Sequence, residues 1–335
     1  MKITTIGIDL AKSVFQIHAT DAHGKVVLLR TLRRSQMVFF FTQQEPCLVG
    51  MEACGSAHYW ARTLQALGHE VRLMSPQFVR PYVKTNKHDA ADAEAICEAV
   101  RRPNMRFVAV KSIEQQSILA VHRARSGMVK ARTAQSNQLR SLLGEFGIVL
   151  PRGISALCRA VPALLEGEEL PLSLCSLIVR LHNQLRELDR QVLELEAEIV
   201  TWHRASEPSK RLAQIPGIGP LTASALVASI GDIRHFRNSR QLAAWLGLVP
   251  KQHSSGGKAR MLGISKRGDT YLRTLLIHGA RSVVRHSKAP LGWLPSLLAR
   301  RPFNVATVAL AHKNARVVWA MLAHERDYQA DWALN

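Results

Sequence analysis

The longest regular pattern in this sequence is a row of apolar residues whose spacing alternates between four and three positions. The row consists of Leu174, Ile178, Leu181, Leu185, Leu188, Val192, Leu195, Ile199 and Trp202. A heptad pattern sustained over about four repeats predicts a long amphipathic helix, and its apolar side needs a second helix to pack against. That second helix can belong to the same chain, folded back antiparallel, or to another subunit. Pro208 indicates that the helix ends near residue 207.

The N-terminal part of the chain combines strand patterns with helix patterns. Runs rich in β-branched residues predict strands at 3–9, 14–20, 26–32, 47–52 and 70–74. One helix is predicted at 56–67, and another at 87–100, where strong helix formers precede Pro103. Three consecutive strands followed by alternating helices and strands indicate a mixed α/β domain.

Basic residues are concentrated in the C-terminal third. The chain has 45 Lys and Arg against 25 Asp and Glu, which gives a net charge of +20 with neutral histidine. Residues 211–335 carry 18 basic and 5 acidic residues, and between Arg211 and His324 only Asp232 and Asp269 are acidic. Positive charge of this density attracts phosphates, so we expect this third to bind nucleic acid. A generally basic, solvated surface is the alternative interpretation.

Composition also argues against three classes of protein. No apolar stretch approaches the roughly 18–20 residues that span a bilayer, which excludes a membrane-spanning protein. The first residues resemble a strand and lack the features of a secretion signal, so we expect a cytoplasmic protein with no membrane partner. The five cysteines include no Cys-x-x-Cys pair, so neither a disulfide framework nor a zinc site is predicted.

Four acidic residues are placed where they can meet at one edge of the predicted sheet. Asp9 ends the first strand and Glu52 ends the fourth, while Asp89 and Asp92 share one face at the start of a helix. This number of carboxylates suits Mg²⁺ or Mn²⁺, and two such ions can stabilise the attacking and leaving oxygens at a phosphodiester. Taken singly, the residues also have plain interpretations, such as a first-turn aspartate at Asp92 and a surface strand end at Glu52.

Two segments can contact a nucleic acid backbone. Lys84 and Lys87 precede the helix that carries Asp89, although an exposed basic loop is an equal interpretation. Gly217 and Gly219 form a Gly-x-Gly turn that opens a helix, where unpaired backbone N–H groups bind phosphate without reading the bases. Many such turns are only helix entries, so the basic surroundings carry most of this interpretation.

A polar stretch at 250–260 offers a nucleophile. It has no predicted secondary structure and contains Ser254 and Ser255. The basic residues around it can position a phosphate for attack by a serine hydroxyl, and they are Lys258, Arg260, Lys266 and Arg267. A mobile surface loop is the alternative interpretation. In the helix predicted at 268–285, Arg273 begins a basic stripe that can follow the nucleic acid backbone.

Several of these motifs, in this order, resemble a known family: the DEDD transposases of bacterial insertion sequences. These are relatives of the pilin-gene invertase and act with a guide, or bridge, RNA. The matching motifs are GIDLAK at 7–12, MEACG at 51–55, KHDAADA at 87–93, PGIG at 216–219, SSGGKAR at 254–260 and SKRG at 265–268. They span nearly the whole chain, which makes the resemblance specific although PGIG alone is common.

The resemblance implies three regions. The first is a ribonuclease-H-like, RuvC-like domain with a mixed sheet at 1–108, whose four carboxylates are Asp9, Glu52, Asp89 and Asp92. The second is a helical coiled-coil region at 109–207, and the third is a mainly helical, basic transposase domain at 208–335. By motif position Ser255 matches the family nucleophile, with Ser254 beside it. The resemblance also implies Mg²⁺, with Mn²⁺ as a substitute, and a homo-oligomer, from dimer to tetramer, in which carboxylates and serine come from different subunits.

These observations favour guide-RNA-directed DNA cleavage and strand exchange through a covalent phosphoserine. Two alternatives remain open. The first is a RuvC-like junction-resolving endonuclease that uses metal-activated water, and it differs because no protein–DNA adduct forms. The second is a catalytically silent protein that binds DNA or RNA, for which loss of Asp9 changes nothing in a transposition assay.

Overall fold

The chain divides into two units, and each is described separately. The computed structural model describes residues 2–84, 88–167, 170–256, 258–287 and 292–329. One unit comprises Met1–Ile113 together with Ile230–His235, and the other comprises Glu114–Ser229 together with Phe236–Asn335. In the described residues, no helix is both long enough and apolar enough to span a membrane.

A six-stranded mixed sheet forms the centre of the N-terminal unit. Its strands are β1 (Thr5–Leu10), β2 (Val14–Thr20), β3 (Val26–Arg33), β4 (Leu48–Glu52), β5 (Glu70–Met74) and β6 (Phe107–Val108). Their order across the sheet is β3-β2-β1-β4-β5-β6. β1 pairs antiparallel with β2 and parallel with β4, while β4 and β5 are also parallel. The five strands predicted from the sequence are thus confirmed, with bounds shifted by at most two residues.

Among the described residues, the α-helices that accompany this sheet are α1 (Met37–Thr42), α2 (Ala57–Ala66), α3 (Pro76–Val79) and α4 (Asp89–Val100). The two predicted helices correspond to α2 and α4, and α1 was not predicted. Buried side chains of the strands, α1 and α2 form one core, in which Phe15 meets Trp60 edge to face with ring centroids 5.4 Å apart. Buried side chains of α4 form a second core with Met74 and Val79. The apolar residues of β1 and β2 therefore supply side chains to the first core, as expected for strands that have a buried face.

Helix α4 lies against the sheet at two glycines. A Cβ atom on Gly7 would overlap the carbonyl oxygen of Ala93 and the amide nitrogen of Cys97, and one on Gly50 would lie 2.8 Å from Val100 Cβ. Any larger residue at these positions would hold α4 away from the strands. The two glycines therefore allow the short distance between α4 and the strands β1 and β4.

The second unit is largely helical. Its helices are α5 (Ile113–Gly144), α6 (Ile154–Leu165), α7 (Leu172–Ala205), α8 (Glu207–Leu212), α9 (Pro220–Ile230), α10 (Ser239–Trp245), α11 (Thr270–His286), α12 (Leu294–Leu298) and α13 (Phe303–His324). Two strands, β7 (Pro250–Ser255) and β8 (Lys258–Ile264), form a separate antiparallel pair. The apolar C-terminal segment forms α13, which packs on α10 and α11.

The partner of the predicted heptad helix is in the same chain. α7 contains the whole heptad segment, and it runs antiparallel to α5 because Arg125 pairs with Glu196 while Arg132 pairs with Asp189. The buried apolar positions on α7 recur every seven residues, at Ile178, Leu185, Val192 and Ile199. Of the two arrangements that the sequence allows, the structure contains the antiparallel pair within one chain.

The expectation of a loop without secondary structure at 250–260 is wrong. The segment forms the hairpin of β7 and β8, in which Ser254 is paired with Ala259 and Ser255 with Lys258. Its described side chains are polar and exposed from Lys251 to Ser254, so the apolar alternation that identifies strands is missing. The Gly-Gly dipeptide that begins at Gly256 was the remaining signal, because two glycines favour a tight hairpin turn.

Candidate functional site

Three aspartates meet at one edge of the sheet in the N-terminal unit. Asp9 is near the end of β1, and Asp89 and Asp92 are in the first turn of α4. One carboxylate oxygen from each of the three lies within 4.8 Å of the others. Asp89 is exposed, while Asp9 and Asp92 are partly buried. The structure thus brings together three of the four acidic residues that the sequence analysis selected.

The topology of the unit explains why they meet. β1 and β4 are parallel neighbours, so Asp9 and Glu52 emerge at the same edge. Since α4 contacts Gly7 through Ala93 and Cys97, its first turn extends past the end of β1 and reaches Asp9. The imidazole of His88 caps this turn, because its Nδ1 accepts a hydrogen bond from the Ala90 amide at 3.2 Å.

Glu52 lies beside the three aspartates without joining their group. It is partly buried at the end of β4. Burial raises the pKa of Glu52, and the negative charges of Asp9 and Asp92 raise this pKa further. The same two causes, burial and the charges of Glu52 and Asp9, raise the pKa of Cys54. Mutual repulsion among these carboxylates is therefore a property of the folded site.

The donor set fits a hard divalent cation. Carboxylate oxygens are the ligands that Mg²⁺ and Mn²⁺ prefer, and these ions bind through a small number of carboxylates together with substrate phosphates. A cation held by Asp9, Asp89 and Asp92 would also relieve the repulsion that raises the Glu52 pKa. Asp9, Asp89 and Asp92 can therefore hold such an ion, with Glu52 beside them in the electrostatic field of the site.

Of the two lysines that precede α4, the structure describes Lys84 and not Lys87. Lys84 Nζ forms ion pairs with Glu94 at 2.9 Å and with Glu98 at 3.4 Å, and its side chain remains largely exposed. A phosphate that binds Lys84 would compete with these two carboxylates. Lys87 lies outside the described residues.

The Gly-x-Gly turn joins α8 to α9 in the second unit. Gly217 has a φ of +89°, and a Cβ there would lie 2.8 Å from the carbonyl oxygen of Gly279 in α11. Asn314 Nδ2 in α13 donates to the Pro216 carbonyl at 2.9 Å and holds the same turn. Gly219, in contrast, is exposed, and a Cβ there would meet no described atom within 4 Å. Gly217 therefore has a packing role, whereas Gly219 is open to a phosphate.

The hairpin with the two serines presents polar groups to solvent. Gln252 Nε2 donates to Ser254 Oγ at 2.8 Å, and Ser254 is exposed. Arg260, Lys266 and Arg267 are exposed as well. The side chains of Ser255 and Lys258 lie outside the part of the chain that the structure describes, although their backbones pair in the hairpin.

Arg273 has a position that the sequence analysis did not expect. It is 7% exposed and donates to the carbonyl oxygens of Leu246 at 3.3 Å and Arg267 at 3.4 Å, and to Thr270 Oγ1 at 3.1 Å. These bonds tie α11 to the segments before and after the serine hairpin. Arg273 therefore has a structural role, and the predicted position on an exposed basic stripe is wrong. The charge pattern of a sequence shows which residues are basic, but it does not show which of them are buried.

A buried polar chain in the same unit also had no signal in the sequence. His122 Nδ1 is 3.0 Å from the Tyr271 hydroxyl, and His122 Nε2 is 3.1 Å from Ser224 Oγ. Burial, and then the charge of Arg125, lower the pKa of His122 to about 4. The three residues join α5, α9 and α11. They are far apart in the sequence, so no local sequence pattern indicates that they are in contact. The neutral imidazole links the helix of the Gly-x-Gly turn to the helix that follows the serine hairpin.

Two family models match this chain. A family model described as "Transposase IS116/IS110/IS902 family" matches residues 209–291, and a second model described as "Transposase" matches residues 6–148. The carboxylates fall in the second match, and the Gly-x-Gly turn and serine hairpin fall in the first.

Relatives match nearly the full length of the chain. A probable family 20 transposase of Pseudomonas aeruginosa is 55% identical, over 98% of this chain and 99% of its own length. The transposase for insertion sequence element IS1111A of Coxiella burnetii is 44% identical, over 98% of this chain and 92% of its own. The transposase for insertion sequence element IS1328 of Yersinia enterocolitica is 44% identical, over 95% of this chain and 96% of its own length.

The class defined by these matches is that of insertion-sequence transposases. The chain belongs to the IS116/IS110/IS902 family of transposases.

Proposed function

We propose that the chain cuts DNA and exchanges its strands through Ser255, assisted by a metal site made of Asp9, Glu52, Asp89 and Asp92. The observation that carries this proposal is the group of three carboxylates within 4.8 Å in a transposase with a net charge of +20. Acidic groups repel a DNA backbone unless they hold cations. Their concentration at one edge of the sheet therefore favours a catalytic purpose.

The fold supports this proposal. We propose a ribonuclease-H-like, RuvC-like identity for residues 1–108, since three antiparallel strands are followed by two parallel ones around a helix that carries acidic residues. Residues 109–207 form the proposed coiled-coil region, to which the antiparallel pair of α5 and α7 belongs. Residues 208–335 form the proposed transposase domain, with the Gly-x-Gly turn and the serine hairpin.

The proposed chemistry is phosphoryl transfer to serine. Ser255 Oγ forms a bond to the phosphorus, the bond from phosphorus to the 3′ oxygen breaks, and the serine proton ends on that 3′ oxygen. The covalent phosphoserine and the 3′ hydroxyl are then ready for exchange with another strand. When bound, Mg²⁺ or Mn²⁺ supplies positive charge that stabilises the charge on the phosphate.

The remaining predicted residues bind the nucleic acid backbone in this proposal. Contacts are assigned to Lys84, Lys87, Gly219, Lys258, Arg260, Lys266 and Arg267, while Gly217 packs the turn that carries Gly219. The partners are DNA and a guide RNA that pairs with it, so base-reading side chains are not required. The active form is a homo-oligomer, from dimer to tetramer, in the cytoplasm, with carboxylates and serine of one active site supplied by different subunits.

The test is an incubation of the full chain with the RNA encoded beside its element, Mg²⁺ and end-labelled element-junction DNA. Products are separated on a denaturing protein gel for wild type, Asp9→Ala, Ser255→Ala and the matched control Ser254→Ala. We expect label to travel with wild type and Ser254→Ala, and with neither of the other two. Cut DNA that leaves the protein and is unaffected by Ser255→Ala would favour metal-activated water and a junction resolvase. No cutting by wild type would favour a protein that only binds nucleic acid.

A further inference from the structure

We propose that a groove in the N-terminal unit, called here the Tyr59 groove, binds an unpaired nucleotide of the DNA strand on which the carboxylates act. The inference rests on the proposed function and names a binding site for its substrate. The groove has a volume of about 650 Å³, and its polar or aromatic lining consists of Ser13, Arg33, Arg34, Ser35, Tyr59 and Trp60.

Two lining residues of the Tyr59 groove follow closely in the chain after the strand ends that carry Asp9 and Glu52. Ser13 follows Asp9 by four residues, so their Cα atoms are at most about 14 Å apart. Tyr59 is in the first turn of α2, the helix that follows Glu52. At the rise of about 3.4 Å per nucleotide in one DNA strand, a strand at the carboxylates reaches the groove within about four nucleotides.

The exposed ring of Tyr59 and the guanidinium group of Arg34 form a stacking surface over the buried ring of Trp60. The guanidinium carbon of Arg34 is 5.2 Å from the ring centroid of Trp60 and 5.9 Å from that of Tyr59. The two rings meet edge to face at 5.2 Å, and Tyr59 is 49% exposed. Exposed aromatic rings beside arginine are the groups on which proteins stack unpaired bases.

A buried donor in the groove has no acceptor. Trp60 is 2% exposed, and its Nε1 finds no hydrogen-bond partner among the described residues. The indole N–H can only donate, and leaving it unpaired in the interior costs free energy. Nucleotides carry acceptor oxygens and nitrogens on the phosphate, sugar and base. Such an acceptor would satisfy the indole N–H once binding uncovers it.

The charge of the lining selects the class of ligand. Arg33 and Arg34 contribute two positive charges, and none of the described lining residues is acidic. Val14 and Val38 add exposed apolar surface beside them. A phosphate on the arginines with a base against Tyr59 uses both kinds of surface. An acidic peptide would use the charges but would leave the aromatic surface without a planar partner.

The test measures binding and not cutting. Fluorescence anisotropy is recorded without Mg²⁺, using labelled single-stranded oligonucleotides of the element junction with one abasic nucleotide placed at each position in turn. This series isolates one base contact from the general attraction of a basic chain. In wild type we expect one or two positions near the cut site at which loss of the base weakens binding by about 5- to 100-fold.

Variants assign that loss to the groove. Tyr59→Ala should bind the abasic oligonucleotide and the intact oligonucleotide with the same affinity. Tyr59→Phe should show the same loss of affinity at the abasic position as wild type. Arg34→Ala should weaken binding more than the matched control Arg30→Ala, which removes an equal charge from β3 outside the groove. Phe39→Ala, which removes an exposed aromatic ring outside the groove, should change neither the affinity nor the abasic pattern.

Three results would overturn the inference: an unchanged abasic pattern in Tyr59→Ala, equal effects of the two arginine variants, or a pattern found only with RNA oligonucleotides. Asp9→Ala separates this failure from failure of the proposed function. It should retain the abasic pattern while losing cleavage. If the wild type cuts DNA but shows no abasic pattern, only the groove proposal fails. If it shows the pattern but does not cut DNA, only the proposed reaction fails.

Discussion

Gly7 in β1 and Cys97 in α4 approach so closely that a Cβ atom on Gly7 would lie 2.5 Å from the Cys97 amide nitrogen. This contact sets where α4 begins relative to the end of β1. The distance from Asp9 to Asp89 and Asp92 therefore depends on a residue that carries no functional group.

Gly7→Ala should destabilise the N-terminal unit and open the carboxylate site. The methyl group has no room against the backbone of α4, and overpacking of this kind costs about 1–3 kcal/mol. The measurement is the free energy of unfolding in urea. Gly55→Ala is the matched control, because a Cβ on Gly55 would meet no described atom within 4 Å. Equal stability of the two variants would show that α4 moves without cost.

Mg²⁺ or Mn²⁺ should stabilise the folded chain through the aspartates. An ion at 100 times its Kd adds about 2.7 kcal/mol to the free energy of unfolding, which appears as a higher Tm. Asp9→Asn and Asp92→Asn should lose most of this increase, and Glu70→Gln, which removes a carboxylate paired with Arg72 elsewhere in the sheet, should keep it. A cation-dependent Tm that all three variants retain would place the ion elsewhere.

Arg273 and Arg267 should respond to substitution in opposite ways. Arg273→Leu leaves two carbonyl oxygens without their buried donor, and each unpaired group costs about 1–3 kcal/mol of folding stability. Arg267→Ala should leave stability nearly unchanged, weaken DNA binding, and reduce the slope of log affinity against log salt by about 1. The measurements are urea unfolding and DNA titrations at several salt concentrations. A reduced salt slope in a fully stable Arg273→Leu would contradict the structural role.

Acid should destabilise the second unit through His122. The unfolded chain takes up a proton there near pH 6.5, and the folded chain does so only near pH 4. The contribution of neutral His122 to stability is therefore complete above pH 6.5 and is lost as the pH falls to 4, by about 3 kcal/mol.

The check on His122 is the pH dependence of the free energy of unfolding in wild type and His122→Gln. The variant should be less stable at pH 7 and should lose less stability between pH 6.5 and 4. His23→Gln, which replaces an exposed histidine, controls for the general effect of removing an imidazole. Parallel curves for wild type and His122→Gln would mean that Tyr271 and Ser224 do not hold a neutral ring.

Much of the N-terminal unit follows from local sequence patterns. β2 and β5 have the predicted bounds, because β-branched and apolar residues between turn signals are a local property. The shared edge of Asp9 and Glu52 could also be anticipated, since parallel strands end at one edge of a sheet, and so could the shared face of Asp89 and Asp92 in one helical turn. The role of Gly7 could not, because a close approach between helix and strand leaves only a glycine in the sequence.

Features that depend on tertiary context were not predictable. The hairpin around Ser254 is polar on its described surface, so it gave no apolar alternation. The depth of Arg273 depends on carbonyl groups from two other segments. Trp60 and Arg34 are 26 residues apart, and their juxtaposition depends on how α2 lies against the sheet. Assignment of such residues requires coordinates and not patterns.

The pairing of α5 with α7 restricts how subunits can assemble. The row from Ile178 to Ile199 is already covered by the chain's own helices, so it offers no contact area to a second copy. The exposed apolar residues of α7 lie at other positions around the helix: Leu193 is 60% exposed, and Leu177 and Val179 are about 40% exposed. The buried row of the heptad thus packs against helices of the same chain, and a contact between subunits at α7 would have to use its exposed residues.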